Sequence, residues 1–97
     1  MAEITWSPQA VKDVEAIRDY ISRDSPRYGV LVAQRIVAVV ERLGRFPESG
    51  RVVPEFGDPS LREVLWRDYR IVYRWSPTAV DIVTVFHGSR LFVSDGS

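Results

Sequence analysis

Two Ser-Pro pairs, Ser7-Pro8 and Ser25-Pro26, constrain this chain more than any other feature. Serine is a strong helix N-cap, because its hydroxyl accepts from an otherwise unpaired N–H of the first turn. Proline suits the first helical position, where no N–H is needed and φ is already helical. Each pair therefore predicts a helix start. After the first, Ala10, Val14, Ile17 and Ile21 recur at helical spacing, with Lys12, Asp13, Glu15, Arg18 and Asp19 filling the other face. That is an amphipathic helix ending near Arg23. After the second, a helix is predicted from about Pro26 to Leu43. Ala33, Ile36, Val37, Val40 and Leu43 form its stripe, widened by Val30 and Val32. Gly44 suits the position just past its end, and Pro47 bars continuation. So few residues separate the two helices that they must fold back as an αα-hairpin.

Strands flank this hairpin. Glu3–Trp6 is short and β-prone. Leu61–Arg67, Tyr69–Trp75 and Ala79–His87 are joined by connections short enough for hairpins, which predicts a three-stranded antiparallel meander. In the second of these, Tyr69, Ile71, Tyr73 and Trp75 point one way, and Arg70, Val72 and Arg74 the other. The third is strongly apolar, as expected of a central strand covered on both faces. Between helices and meander, Phe46–Ser60 shows no helix or strand pattern and is long for a chain of 97 residues. Such loops often carry function. The expected fold class is α+β: an N-terminal strand, the αα-hairpin, then the meander, with the helices packed on one face of the sheet. A single domain over residues 1–97 is expected, with the last four residues fraying.

Composition works by exclusion. The chain has no cysteine and one histidine. Disulfide scaffolds, Cys-ligated zinc, iron–sulfur clusters and multi-His metal sites are therefore ruled out, and no cofactor is expected. No apolar run approaches the ~20 residues of a membrane span. The N-terminus lacks the basic and apolar regions of a signal peptide. A cytoplasmic protein with no membrane partner is expected. Thirteen basic residues face thirteen acidic ones. A protein held to nucleic acid by phosphate contacts usually carries a basic excess, so strong direct nucleic-acid binding is not expected.

The sheet offers the first candidate chemistry. If the aromatic row packs on the helices, Arg70 and Arg74 line the opposite face. Glu55 in the long loop and His87 at the end of the last strand stand where they can join them. A Glu, an Arg and a His converging on one face form a plausible acid–base and phosphate-clamping set. Glu or His would take a 2′-hydroxyl proton and Arg would steady the phosphate. The plainer alternative pairs Arg70 and Arg74 with Glu63 or Asp81 and leaves a solvated sheet face. Arg62-Glu63 reads as a cross-strand or loop-anchoring ion pair. Val30, Val32 and Val37 exceed what one sheet face needs. They are either packed core or a surface that a partner covers.

Taken in order, several pieces resemble the ParE/RelE toxin superfamily of bacterial type II toxin–antitoxin modules. They are Trp6-Ser7-Pro8-Gln9-Ala10, Phe46-Pro47-Glu48-Ser49-Gly50-Arg51, Val53-Pro54-Glu55-Phe56, Leu61-Arg62-Glu63-Val64, Tyr69-Arg70-Ile71-Val72-Tyr73-Arg74 and His87-Gly88-Ser89-Arg90. The likeness runs over about residues 3–92 and looks closest to the ParE, plasmid-stabilisation branch. It implies a non-enzymatic toxin that inhibits DNA gyrase and is neutralised by a ParD-like antitoxin, whose extended C-terminal segment wraps it. Arg70, Arg74, His87, Arg90, Val30 and Val37 are then the candidate partner-binding residues. The RelE branch implies a ribosome-dependent mRNA endonuclease using Glu55, Arg70 and His87. A third reading is a module that binds antitoxin without being toxic. RelE-type sites rely on a basic cluster that includes lysines, and here Lys12 stands alone, far along the chain from the sheet residues. Gly88 also stands where a tyrosine often follows the histidine. The lone lysine and the neutral charge favour the gyrase reading, while Glu55, Arg70 and His87 keep the endonuclease reading open.

Overall fold

Both Ser-Pro pairs start helices. In the computed structural model, which describes residues 1–89, Ser7 Oγ accepts from the Ala10 N–H at 3.0 Å and Ser25 Oγ from the Tyr28 N–H at 3.3 Å. Helix α1 spans Pro8–Ser22 and α2 spans Pro26–Leu43. They fold back on each other as predicted. Gly29 allows their close approach: a Cβ there would run into the Ser22 side chain and the Arg18 carbonyl. No helix among the described residues is long and apolar enough to cross a membrane.

The strands are β1 (Glu3–Trp6), β2 (Arg51–Val52), β3 (Leu61–Trp66), β4 (Tyr69–Trp75) and β5 (Ala79–His87). They form one sheet in the order β1-β5-β4-β3-β2. The α+β class and the β3–β4–β5 meander are as expected, and two strand pairings go beyond it. β1 lies parallel to β5, from Glu3 opposite Ala79 to Trp6 opposite Ile82. β5 is thereby flanked by strands on both edges; the helices and the loop cover its two faces, which accounts for its apolar run. The connection read as structureless holds β2, paired antiparallel with β3. Where β1 ends, α1 takes over the edge of β5. The Ser7 N–H donates to the Ile82 carbonyl at 2.9 Å, and the Asp13 carboxylate accepts from the Val85 N–H at 3.0 Å.

The helices cover one face of the sheet. Val32, Ile36, Val40 and Leu43 of α2 pack there against Ile71, Tyr73, Val80, Ile82 and Val85, with Tyr69, Trp66 and Trp75 at the margin. Val32 therefore belongs to the core, whereas Val30 and Val37 stay exposed. Arg70, Val72 and Arg74 lie on the other face. That face was expected to stand free, and it does not. Val53 descends from the loop and buries itself with Leu61 and Val72, beside Val83 and Phe86. Leaving these apolar side chains in water would cost about 25 cal/mol for each Å², and the loop removes that exposure.

One irregularity interrupts the meander. Val72 opposes Thr84 while Tyr73 opposes Ile82, leaving Val83 as an extra residue in β5. An extra residue inverts the alternation beyond it. Val80 and Ile82 face the helices before the bulge; Val85 faces them after it, and Phe86 turns to the loop side.

Tyr73 ties the loop to the core. It is fully buried, and its hydroxyl accepts from the Gly50 N–H at 2.9 Å. A Cβ on Gly50 would lie 2.6 Å from both that hydroxyl and the Glu63 carbonyl, so the approach requires glycine. Burial pushes the Tyr73 phenol above its ordinary 10.0. The unfolded chain ionises near pH 10.0 while the fold still holds the proton. This contribution to stability is complete below pH 10.0 and is lost as pH rises through the folded value. In urea denaturation, Tyr73→Phe is expected to flatten the alkaline fall in stability. At neutral pH it should cost about 1–3 kcal/mol, because the Gly50 N–H is left buried without an acceptor.

Candidate functional site

Alternation along β3 turns Leu61, Glu63 and Leu65 towards the loop. In register, Glu63 lies between Val72 of β4 and Arg51 of β2. Its side chain has no exposed surface, and a carboxylate so placed needs partners on every side. Glu63 Oε2 accepts from Arg51 Nε and Nη2, each at 2.6 Å. Glu63 Oε1 accepts from Arg70 Nε at 2.8 Å and from Arg70 Nη2. The far side of the same guanidinium donates to Glu55, Nη1 to Oε2 at 2.7 Å and Nη2 to Oε1 at 2.8 Å. The Phe86 ring supports it, 5.1 Å from Cζ to the centroid. The hydrogen bonds to Glu55 raise the Arg70 pKa above its usual value; burial opposes them, and Glu63 adds to them. Arg51, Glu63, Arg70 and Glu55 thus form a chain of alternating charges that sums to zero.

This chain floors a hollow of about 580 Å³, with Pro54 and Leu65 in its walls. Of the residues singled out in the sequence, Glu55 and Arg70 are bonded to each other here. His87 lines the same hollow from the neighbouring strand. Beyond the bulge it pairs with Tyr69, while Phe86 pairs with Arg70. Its ring stands edge-on to Tyr69 at 5.6 Å, and Nδ1 lies 2.7 Å from the Ser89 hydroxyl. It lines this hollow together with Glu55 and Arg70, and also a second one, about 460 Å³, with Ile17, Tyr20 and Tyr69 on the helix side. Burial pushes the Tyr69 phenol up, helped by the charge of Asp68. Glu55, Arg70 and His87 thus line one hollow, with Glu55 and Arg70 bonded to each other and His87 in register with Tyr69.

The remaining candidates lie apart. Arg74 is exposed at the other end of β4. It opposes Asp81 in register, yet it donates to Ser60 Oγ at 2.7 Å and meets Asp58 at 3.5 Å. The Ser60 N–H and hydroxyl, with Arg74 adding less, hold the Asp58 carboxyl below its ordinary 3.8. Val30 and Val37 line a shallow groove of about 370 Å³ on the hairpin, with Arg18, Ala33 and Gln34. Arg90 lies outside the described residues. Arg62 anchors the loop, donating to the carbonyls of Pro59, Glu48 and Gly50. The Arg70–Glu63 bond is the one named in the plainer alternative. Arg51 was not singled out: a pairing that falls in a two-residue strand leaves no alternation to read.

The chemistry of the hollow follows from these bonds. Arg70 directs four hydrogen bonds at two carboxylates. A guanidinium so engaged has little left to offer a phosphate. The buried Glu63 makes the cluster a structural clamp as much as a surface feature.

A paired-helix layer on one face of a five-stranded sheet is the fold of the ParE and RelE toxins. The structure of the chromosomal ParDE system from P. aeruginosa shares it with a TM-score of 0.74 and 24% identity, over 90% of this chain and 96% of that one. The toxin–antitoxin complex RelBE2 from Mycobacterium tuberculosis shares it with a TM-score of 0.64 and 20% identity, over 89% and 96%. The family profile described as "ParE toxin of type II toxin-antitoxin system, parDE" matches residues 4–92, and the chain belongs to that family. It is also 36% identical over 92 residues to Toxin RelE2 of Caulobacter vibrioides, covering 94% of this chain and all of the relative. The resemblance read in the sequence is thus shown, with relatives under both names.

Arg70→Met is expected to destabilise the fold by about 3–5 kcal/mol, because Glu63 would be left buried with one partner. Adding Glu63→Leu should recover a large part of that loss. Urea denaturation of both single variants and the double variant measures the coupling.

Proposed function

We propose that this toxin acts by binding DNA gyrase rather than by cutting RNA, and that a ParD-like antitoxin neutralises it. The single observation that carries this reading is the engagement of Arg70. Its guanidinium is held by Glu55 and Glu63, so it is poorly placed to steady a transferring phosphate. Base and clamp must share a face to act on one hydroxyl and its phosphate. His87 lines the same hollow as Arg70, but it pairs in register with Tyr69 and its Nδ1 lies 2.7 Å from the Ser89 hydroxyl. The balanced charge, thirteen against thirteen, also gives no general attraction to ribosomal RNA.

The RelE name of the C. vibrioides relative favours the second reading, a ribosome-dependent endonuclease. That mechanism requires Glu55 to release Arg70 and His87 to turn from Ser89 into the hollow that all three line. The gyrase reading requires neither movement and places the toxin's action in the cytoplasm. Arg74 and His87 are exposed and available to a protein target. Val30 and Val37 offer the antitoxin an apolar strip on the hairpin, 48% and 37% exposed.

Purified toxin added to gyrase and relaxed plasmid is expected to stop supercoiling and to accumulate cleaved plasmid. Excess antitoxin should restore the reaction. His87→Ala should leave growth inhibition in place. Unaffected gyrase, together with cleavage of ribosome-bound mRNA that His87→Ala abolishes, would establish the endonuclease instead.

A further inference from the structure

A cleft of about 210 Å³ opens between α2 and the turn joining β3 to β4; Arg67 of that turn also borders the hollow over the Glu63 network. Tyr28, Leu31, Val32 and Arg35 line it from α2, and Trp66 and Arg67 from the turn. Two of these six residues are arginines and none is acidic. Among the described residues, neither Arg35 nor Arg67 has a carboxylate partner, whereas Arg51, Arg70 and Arg74 all do. The Arg67 guanidinium lies 5.3 Å from the centre of the Trp66 ring, which restricts where it can go.

A second, independent observation concerns the backbone. Arg67 has φ 52, the one positive-φ residue other than glycine among the described residues. Glycine adopts that conformation freely, and a long side chain does so at a cost. The turn thus carries a guanidinium where the chain geometry favours no side chain at all. Such a strained position points towards function.

We infer that Arg35 and Arg67 form a receptor for a carboxylate on an acidic peptide segment of a neutralising partner, with Trp66, Tyr28 and Leu31 holding an apolar neighbour of that carboxylate. The inference rests on the reading that a partner protein neutralises this toxin, and it names the chemistry of that partner's contact. Two guanidinium groups complement a carboxylate with short, charge-assisted bonds. The apolar walls and the small volume suit a side chain better than a base with its phosphate.

The test uses the full chain and a fluorescent decapeptide alternating Glu and Leu, read by anisotropy at low salt. The same peptide with Gln for Glu, and a labelled oligothymidylate, are the comparisons. The Glu peptide should bind about tenfold more tightly than the Gln peptide, and added salt should narrow that gap. Arg35→Gln and Arg67→Gln should each weaken it about fivefold, and the double variant should abolish the preference for Glu. Lys12→Gln, on α1, should change nothing. Arg67→Gly separates binding from folding: it should raise thermal stability while losing affinity. Equal binding of the two peptides, affinity untouched by Arg67→Gly, or tighter binding of the oligothymidylate through the same arginines would overturn the inference. Antitoxin that still restores gyrase activity against the double variant would also sink the inference, while the module reading stood. Antitoxin that fails against the unaltered toxin would remove the reading itself.

Discussion

Glu63 is a carboxylate with no exposed side-chain surface, set in a strand between two other strands. Stripping water from such a group costs several kcal/mol unless charged donors replace it. Arg51 and Arg70 replace it from opposite sides, and each is thereby fixed to the sheet. Arg51 stands directly opposite Glu63 in register, so the ion pair and the backbone ladder of β2 hold the same two residues together. Arg70 in turn holds Glu55, which draws the following loop down beside the apolar patch around Val53. One buried charge thus organises the whole loop-side face. It also shapes the electrostatics of the hollow above it, because its two cations and two anions together carry no net charge.

Much of the fold was legible in the sequence because it rests on local rules. A serine cap and a proline at the first turn are read directly, and so is helical periodicity. Short connections left the hairpin and the meander little choice. The unread parts depend on contacts between distant segments. β2 has two residues, too few to show a period. The parallel pairing of β1 with β5 joins opposite ends of the chain, and neither strand carries a mark that names the other. The loop-side core was half visible. Val53 looks apolar in the sequence, but the need to cover Val72 and Val83 arises only once the sheet exists; Phe56 of the same loop stays exposed.

The candidate site was legible up to the bulge. Alternation in β4 placed Arg70 and Arg74 on one face correctly. The same rule applied to β5 fails after Val83. One extra residue there sends Val85 to the helix side and Phe86 to the loop side. No turn residue or glycine announces it; Val83 looks like any other strand valine. Glu63 was legible as a partner of Arg70, though not as a group shared by two arginines, since that requires knowing that Arg51 pairs with β3. The sequence supplied the right residues for the network and could not supply their registers.

Neutral totals conceal how the charges are sorted. The loop-side face consumes Glu55, Glu63 and Asp58 against Arg70, Arg51 and Arg74. The pairs cancel where they stand, so they project little field into solvent. Arg35 and Arg67 line the cleft with Tyr28 and Trp66, and among the described residues neither is paired with a carboxylate. A chain with no net charge gains little from long-range steering, which scales with the summed charge distribution. Its selectivity must then come from short-range fit, where an arginine beside an aromatic ring is worth more than the same charge in open water. The surface left over once the clamp is satisfied has that composition. It is the composition of a protein-binding surface rather than of a backbone-tracking nucleic-acid groove, which needs cations in a continuous row.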